Sequence, residues 1–323
     1  MIAAGLALAV SALVVTWLAR HAGVAPHDRP NHRSLHDRPV PRAGGWAIFA
    51  GWAAALPFAG PLPGFPDGAT TVLFLAVAAL FAVSLVDDYR GVPAPVRLVV
   101  QVVGALALTG SMGAAFGWGA AGAAAAAFVL VAATNFFNFM DGSDGLAGTM
   151  AVTGFSASAA AAALAGATWA PWFALACAVV PFLAQNLPPA RLFLGDAGSA
   201  PLGFLAGAAG LAGVAGGVWP AWFPVLVFLP FLADAAVTLA RRLFRGERVW
   251  QPHRTHYYQR LVRLRGGHRG TLRAYGGLML GCAASAVACA AFAPAAGWAL
   301  VGVWAAIVAA LFAHIDYHVG FRG

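Results

Sequence analysis

Charge is scarce in this 323-residue chain, and lysine is absent from it altogether. Only 9% of the residues are charged and 61% are hydrophobic, whereas a soluble domain is about one quarter charged. So little polar surface excludes a soluble globular protein. Cysteine is also rare. Cys177, Cys282 and Cys289 lie inside apolar runs without metal-ligand spacing, so we interpret them as packing residues rather than as zinc ligands.

What the chain has instead is a series of apolar runs long enough to cross a bilayer. The first run is followed by arginines rather than by a small-residue cleavage site, so we interpret it as a retained span and not as a signal peptide. The sequence therefore predicts an all-α, polytopic membrane protein that forms a single domain over residues 1–323. Its eleven predicted spans cover residues 2–19, 44–59, 70–86, 96–113, 118–137, 146–166, 169–187, 199–215, 220–240, 272–292 and 296–314.

The arginines predict how these spans are oriented. If the N-terminus is outside, all nineteen arginines fall in inside loops, in the first residues of the adjoining spans or in the C-terminal tail, and none falls in an outside connection. Because basic loops stay in the cytoplasm, we predict an N-out, C-in topology with long cytoplasmic loops at 20–43 and 241–271. The net charge of +8 is then explained by membrane orientation first and by an anionic substrate second, and not by nucleic acid.

The acidic residues follow the same partition. Five aspartates from three separate segments lie at predicted inside ends of spans: Asp87, Asp88, Asp141, Asp144 and Asp196. Carboxylates at membrane depth usually face a cavity, pair with a cation or bind a metal, because burying them alone is costly. We therefore predict one polar active site at the cytoplasmic face. Asp234 lies deeper, about two turns inside the ninth predicted span.

The most specific motif is NFFNFMDGSDGLAG at residues 135–148. Asn135, Asn138 and Asp141 recur every three residues, which drifts slowly round a helix and points all three towards one cleft. Gly142 and Gly145 permit turns that expose backbone N–H groups to a ligand. The alternative, an Asx-rich turn between two spans, accounts poorly for so many carboxyl and amide groups in one stretch.

Two shorter acidic motifs flank it in the chain. Asp87 and Asp88 in SLVDDYRG repel each other unless a cation or a proton neutralises one of them, although a solvated helix end also tolerates such a pair. Such a carboxylate suits the deprotonation of a phosphate or the binding of a metal. In FLGDAGSAPLG, Asp196 lies between two glycines at a helix start, which predicts an anion site with a divalent cation that bridges phosphates.

A basic motif follows in the long loop at 241–271. His253 and His256 lie three residues apart, with Arg254 and Arg260 close by. Zinc binding would need further histidine or thiolate ligands, which the loop lacks at ligand spacing. A polybasic segment that is attracted to anionic lipid is one interpretation. Phosphate recognition by the arginines and histidines fits better beside the acidic site.

Taken in order, these segments resemble the polyprenyl-phosphate N-acetylhexosamine-1-phosphate transferase family, which includes the phospho-MurNAc-pentapeptide translocase of peptidoglycan synthesis. The matching stretches are PNHRSLHDRPVPRAGG, VDDYRG, NFFNFMDGSDGLAG, FLGDAGSAPLG and HRTHYYQRL, from residue 30 to residue 261. The last stretch departs from the commoner family form, because Tyr257, Tyr258 and Gln259 stand where further histidines usually follow. In this respect it resembles the branch that initiates O-antigen synthesis with 6-deoxy N-acetyl sugars.

The resemblance, together with the motifs, implies a set of site residues. The candidate catalytic residues are Asp87, Asp88, Asp141 and His256. The positions that match magnesium ligands are Asn138 and Asp196, with Mn²⁺ as a substitute for Mg²⁺. The candidate substrate-binding residues are Asn135, Gly142, Ser143, Asp144, Asn186, Phe193, His253, Arg254 and Arg260, of which Gly142, Ser143 and Asp144 match the segment near the uracil.

The implied function is the transfer of an N-acetylated sugar-1-phosphate from a UDP-sugar to undecaprenyl phosphate, with release of UMP, in the bacterial inner membrane. We expect this to be the first membrane step of O-antigen, lipopolysaccharide or another cell-envelope polysaccharide. The implied partners are the UDP-N-acetyl sugar, the polyprenyl phosphate and the membrane, with a homodimer as a further expectation. The alternatives are a peptidoglycan-type transfer and an ion-coupled secondary transporter. A transporter should carry its acids near the midplane and show duplicated halves, and the sequence has neither feature.

Overall fold

The structure is a computed structural model that describes residues 1–28, 39–248, 251, 253–264 and 266–319. Residues 30–38 of the first matching stretch therefore lie outside the described residues. Within the described ranges the chain forms thirteen α-helices, three short 3₁₀ turns and one two-stranded antiparallel sheet, β1 (His27–Asp28) with β2 (Val40–Pro41).

The α-helices follow one another with short connections. Their bounds are α1 Ile2–Arg20, α2 Gly44–Ala55, α3 Ala69–Arg90, α4 Ala94–Phe116, α5 Ala120–Phe139, α6 Leu146–Leu164, α7 Ala170–Asn186, α8 Asp196–Ala215, α9 Trp222–Val227, α10 Leu229–Phe244, α11 Tyr257–Val262, α12 Gly267–Phe292 and α13 Gly297–Val319.

Eight of the described helices are long and apolar enough to cross a membrane. Two shorter apolar helices, at Gly44–Phe58 and Ala170–Asn186, coincide with two further predicted spans. The all-α, polytopic prediction is therefore confirmed. The ninth predicted span, 220–240, differs from the rest because it is divided into α9 and α10 at Phe228. Pro230 lies in the first turn of α10 and has no N–H to donate to the preceding turn, which explains the break.

Helix α8 lies at the centre of the bundle, where it packs against α3, α5 and α2. Small residues make this close packing feasible. A Cβ at Gly203 would lie 2.8 Å from the carbonyl oxygen of Ala133 on α5, and a Cβ at Gly45 would lie 2.5 Å from the Cα of Gly198. Both distances are shorter than carbon atoms tolerate, so the backbones approach one another at positions that only glycine allows.

The segments that precede α2 and α8 are joined by backbone hydrogen bonds. Phe193 donates to the carbonyl of Pro41 at 2.8 Å, and its own carbonyl accepts the N–H of Gly44 at 2.9 Å. Gly45 in turn donates to Leu194 at 2.9 Å. These bonds bring the end of the first Arg-rich loop to the start of α8, where Asp196 lies.

The helix ends that carry the predicted site residues meet at one end of the bundle. Asp88 at the end of α3 contacts the start of α8, and Tyr258 of α11 contacts Phe139 at the end of α5. Asn186 at the end of α7 contacts Gly145, which begins α6. The predicted clustering on one face is therefore observed, while the membrane side of that face stays a prediction.

We predict that this face is cytoplasmic, which two single cysteines can test in a variant whose three native cysteines are replaced. Asp67 and Arg263 are both exposed, so burial would not mask either position. In intact cells a membrane-impermeant maleimide should label Asp67→Cys and not Arg263→Cys, and permeabilisation should expose the second position. Labelling of Arg263→Cys alone in intact cells would show that the orientation is inverted.

Candidate active site

Asp88 holds the start of α8. Its carboxylate oxygens accept hydrogen bonds from the backbone N–H groups of Asp196 and Ala197, each at 3.0 Å. The first N–H groups of a helix have no partner within the helix, and a negative charge there interacts favourably with the helix dipole. Gly195 has a φ of 76°, and a Cβ there would lie 2.8 Å from the Asp88 carboxylate. Asp88 thus caps α8 and fixes where Asp196 begins it.

Arg97, in the first turn of α4, joins two of the predicted carboxylates. Its Nη1 atom contacts Asp87 Oδ2 and lies 2.7 Å from Asp196 Oδ2. The other oxygen of Asp87 accepts the backbone N–H of Val92 at 2.5 Å. Two carboxylates at this separation would repel each other in the absence of a cation. A single guanidinium therefore keeps the ends of α3 and α8 together.

The two asparagines of the NFFNFMDGSDGLAG motif contact different partners. Asn138 Nδ2 donates to Asp196 Oδ1 at 3.1 Å and to the Ser199 hydroxyl at 2.8 Å. Asn135 Nδ2 instead donates to Gln101 of α4 at 2.7 Å. Asn138 is therefore part of the acidic cluster at the head of α8. Asn135 lies nearly one turn deeper and joins α5 to α4.

Asp141 follows α5 and lies in the same electrostatic field. Its carboxylate accepts no hydrogen bond from the residues that the structure describes. Burial and the negative charge of Asp196 raise the pKa of the Asp141 carboxyl well above its usual range, while the positive charge of Arg42 opposes the rise. Asp141 is thus a half-buried acid beside the Asp88 and Asp196 pair.

Asn186 and Phe193 frame the loop that follows α5. Asn186 is buried, and its side-chain oxygen accepts the N–H of Gly145 while its Nδ2 donates to the carbonyl of Leu192, both at 2.9 Å. The backbone of Phe193 forms a bridge with Arg42. Both residues therefore shape the loop in this structure, and their contact with a nucleoside stays a prediction.

Ser143 and Asp144 are braced from two sides. His268, at the start of α12, brings Nδ1 to 3.0 Å from the Ser143 hydroxyl and accepts the backbone N–H of Asp144 at 3.2 Å. The Asp144 carboxylate accepts the N–H of Ala190 at 3.0 Å. These contacts hold the DGSD turn between α7 and α12, so the turn presents a fixed shape to the cleft.

His256 immediately precedes α11, and its ring lies 5.9 Å from that of Phe139, at the C-terminal end of α5. Its ring stacks on His253 and on Tyr258, with centroids 4.8 and 5.9 Å away. The Tyr258 hydroxyl donates to the carbonyl of Phe139 at 2.9 Å, and a Cβ at Gly142 would lie 2.1 Å from that hydroxyl. Tyr258 therefore fits closely against the turn at Gly142 and joins the basic motif to the asparagine motif.

The structure does not bring Arg260 to this cluster. Its Nη2 atom contacts Asp316 of α13 at 2.6 Å, and its guanidinium lies 4.7 Å from the centre of the Tyr257 ring. The side chain is almost completely buried in these contacts. Arg260 therefore ties α11 to α13. Arg254, the other predicted arginine, is half-buried in the segment that precedes α11.

The donor set fits a hard cation that is completed by its substrate. Mg²⁺ prefers oxygen ligands and is commonly held by one or two carboxylates together with substrate phosphates. Asp196 and Asn138 lie side by side and provide carboxylate and amide oxygens. Within the described residues no three acidic, histidine or cysteine side chains converge as a complete metal cage. Asp196 and Asn138 are therefore the residues that would hold such a cation, with other ligands needed to complete its shell.

A separate apolar groove lies within the bundle. It has a volume of about 380 Å³ and runs between α5, α8 and the broken α9–α10 pair. Its walls include Trp118, Ala133, Phe136, Phe137, Gly207 and Phe228. The part of α8 that lines it runs from Ala206 to Ala215, which begins about 15 Å along the helix from Asp196.

Sequence reasoning missed several residues of the site. Arg97 was counted only as a marker of membrane side, although a cation in the first turn of a helix opposes the helix dipole and could have been noticed. Ser199 was not singled out as a partner of Asn138. His268 and Gln101 had no local signal, since only the packing of distant helices brings them to Ser143 and Asn135.

Comparison with known proteins places this geometry in context. The glycosyl transferase family 4 profile matches residues 70–214, which run from α3 to α8. The decaprenyl-phosphate N-acetylglucosaminephosphotransferase of Mycobacterium tuberculosis is 27% identical, over 79% of this chain and 73% of its own. The protein of the same description from Mycolicibacterium smegmatis is 28% identical over 74% and 69%. A probable undecaprenyl-phosphate N-acetylglucosaminyl 1-phosphate transferase of Bacillus subtilis is 24% identical over 80% and 76%.

The state of His253 generates a prediction about acid stability. Burial and the neighbouring His256 and Arg242 lower the pKa of His253 to about 3, so the folded chain keeps it neutral. The unfolded chain protonates this histidine near its ordinary value of about 6.5, so stability falls as the pH drops through that value. His253→Gln should flatten the decline of the unfolding temperature between about pH 7.5 and about pH 5.

The measurement is thermal unfolding of the purified protein in detergent, with His314→Gln, on the exposed surface of α13, as the control for removing a histidine. Parallel pH curves for wild type and His253→Gln would contradict the assignment. They would leave His253 free to act as a cation towards phosphate.

Proposed function

We propose that this chain, which belongs to glycosyl transferase family 4, transfers an N-acetylated sugar-1-phosphate from a UDP-sugar to a polyprenyl phosphate and releases UMP. The observation that carries the proposal is the cluster of Asp87, Asp196 and Asn138, which meets at the ends of three long apolar helices. A lipid phosphate has a hydrocarbon tail and a charged head, so its head can reach such a cluster while its tail stays at the depth of the apolar helices. The relatives from Mycobacterium tuberculosis and Bacillus subtilis are named for decaprenyl phosphate and undecaprenyl phosphate, which supports the same class here.

The proposed reaction joins two phosphates. An oxygen of the polyprenyl phosphate forms a bond to the sugar-bearing β-phosphorus, and the bond from that phosphorus to the bridging oxygen breaks, so UMP leaves with the electron pair. A phosphate nucleophile is already largely ionised at neutral pH, so the protein contributes chiefly position and charge. Mg²⁺, when bound at Asp196 and Asn138, would offset the negative charge of the diphosphate.

The remaining residues have distinct proposed roles. Asp87 is the acid of the DD pair that faces Arg97, while the oxygens of Asp88 are occupied by the helix start. We therefore assign the polyprenyl phosphate to Asp87, with Arg97 as the cation that is shared between its carboxylate and the incoming phosphate. Asp141 adds a half-buried acid to the site. His256 lies beside the end of α5, and we assign it to the diphosphate.

The identity of the sugar is the finer part of the proposal. The HRTHYYQRL form favours a UDP-linked 6-deoxy N-acetyl sugar and a role in O-antigen synthesis at the inner membrane, whereas the relatives' descriptions name N-acetylglucosamine. A purified preparation that is offered both donors and UDP-MurNAc-pentapeptide separates these branches. Preference for the pentapeptide would assign the protein to the peptidoglycan branch of the family. A homodimer stays a prediction.

The ion-coupled transporter gains no support from the buried acid of α10. Asp234 is fully buried, and its carboxylate accepts hydrogen bonds from Thr238, Tyr257, Tyr258 and Tyr275. A carboxylate on an ion path must exchange its partners with a passing ion or proton, and these partners are protein groups held in place by packing.

Asp196→Asn tests the proposed function. The substitution keeps the size of the side chain but removes the charge that would hold Mg²⁺ on the diphosphate. Loss of this charge stabilisation should cost about 3 kcal/mol in the transition state, or about a hundredfold in the rate of UMP release. The assay is UMP release from a UDP-N-acetyl sugar by purified protein with polyprenyl phosphate and Mg²⁺.

The matched control is Asp67→Asn, an exposed acid just before the start of α3, at the opposite end of that helix from Asp87, which should retain wild-type turnover. Asp196→Asn should also unfold within a few degrees of the wild type, which separates a chemical defect from misfolding. Near-normal, Mg²⁺-dependent turnover of Asp196→Asn would remove Asp196 from the site.

A further inference from the structure

The buried carboxylate of Asp234 is the centre of a second polar cluster, apart from the one at α8. Its Oδ1 atom accepts the backbone N–H of Tyr257 at 2.9 Å and the Thr238 hydroxyl at 3.2 Å. Its Oδ2 atom accepts the backbone N–H of Tyr258 at 2.9 Å and the Tyr275 hydroxyl at 2.5 Å. Three helices, α10, α11 and α12, therefore converge on one side chain.

Two of these bonds fix where helix α11 begins. Tyr257 and Tyr258 are its first two residues, and their N–H groups have no partner within the helix. A carboxylate from another helix satisfies both, as an N-cap side chain would. Asp234 thereby locks the backbone directly after His256, at the point where the HRTHYYQRL stretch enters the helix.

A further contact reaches the imidazole of His256. Its Nδ1 atom lies 3.2 Å from Asp234 Oδ1, and both side chains are almost fully enclosed. A carboxylate accepts hydrogen bonds and cannot donate them, so Nδ1 carries a proton in this contact. The hydrogen of a neutral ring is then on Nδ1, which leaves Nε2 as the acceptor atom. Nε2 makes no hydrogen bond with the described residues.

The ring is also held against rotation. His256 stacks between His253 and Tyr258, and Tyr258 is anchored by its hydroxyl to the carbonyl of Phe139. The ring plane is therefore set by stacking and its tautomer by Asp234. Together they give the imidazole one orientation beside the end of α5.

We propose that Asp234 is the positioning residue for His256. It holds the Nδ1–H tautomer and the backbone that carries it, so that Nε2 is directed to the diphosphate region of the proposed transfer reaction. The proposal rests on the proposed function for the role of His256 towards substrate, and it gives the buried carboxylate of Asp234 a function other than ion passage.

A double-mutant cycle tests whether Asp234 acts through His256. In wild type, His256→Gln should lower kcat by about a hundredfold, which is in the range of a positioned proton-transfer or charge-stabilising group. Asp234→Asn should lower kcat by at least tenfold alone, and by less than twofold when His256→Gln is already present. Multiplicative effects of the two changes would overturn the proposal, since a merely structural Asp234 would act equally in both backgrounds.

Tyr257→Phe serves as the matched control. The variant removes the Tyr257 hydroxyl, which contacts Asp316 rather than Asp234. It should therefore keep kcat within about twofold. Tyr275→Phe, which removes one donor to Asp234 Oδ2 but keeps the carboxylate, should lower kcat less than Asp234→Asn does. If Tyr275→Phe and Asp234→Asn lower kcat equally and lower the unfolding temperature equally, the proposal would also be overturned.

A second measurement does not depend on how Asp234→Asn folds. Nitrogen NMR of histidine-labelled wild type, assigned by the signal lost in His256→Gln, should show the Nδ1–H tautomer for His256. The Nε2–H tautomer would contradict the proposal whatever the activity assays show. If wild type releases no UMP from any UDP-N-acetyl sugar, the proposed function fails, while the tautomer still decides whether Asp234 orients the ring.

Discussion

The site is built around a concentration of negative charge. Four aspartates, at positions 87, 88, 141 and 196, lie in one electrostatic field with two arginines, at positions 42 and 97. Asp88 caps the start of α8, and Arg97 holds Asp87 and Asp196 together. A cation at the Asp196 and Asn138 pair would offset part of the negative charge of these described residues.

The helices place that charge at one end of an apolar bundle. Glycine at positions 45 and 198 lets the starts of α2 and α8 touch, which brings the end of the first Arg-rich loop beside Asp196. The break at Phe228 divides the ninth predicted span and forms one wall of the apolar groove deeper in the bundle.

Much of this could be predicted from the sequence, because a membrane sorts residues by depth and side. The spacing of the apolar runs predicts the helices, and the arginines and aspartates predict that DD, NFFNFMD and GDAGS share one end. The direction of each side chain could not be predicted. Asn135 and Asn138 are both asparagines of α5, yet Asn135 donates to Gln101 and Asn138 donates to Asp196. Arg260 belongs to the basic motif, but the position of α13 pairs it with Asp316.

The nucleotide product distinguishes the transfer of a sugar together with its phosphate from the transfer of the sugar alone. Wild-type protein in lipid discs that contain polyprenyl phosphate should be given a UDP-N-acetyl sugar and Mg²⁺, and the products resolved by mass spectrometry. We expect UMP and a polyprenyl diphosphate sugar in equal amounts, neither of which forms with a chelator present. Release of UDP with a polyprenyl monophosphate sugar would mean that the sugar alone is transferred, and the proposed function would be wrong.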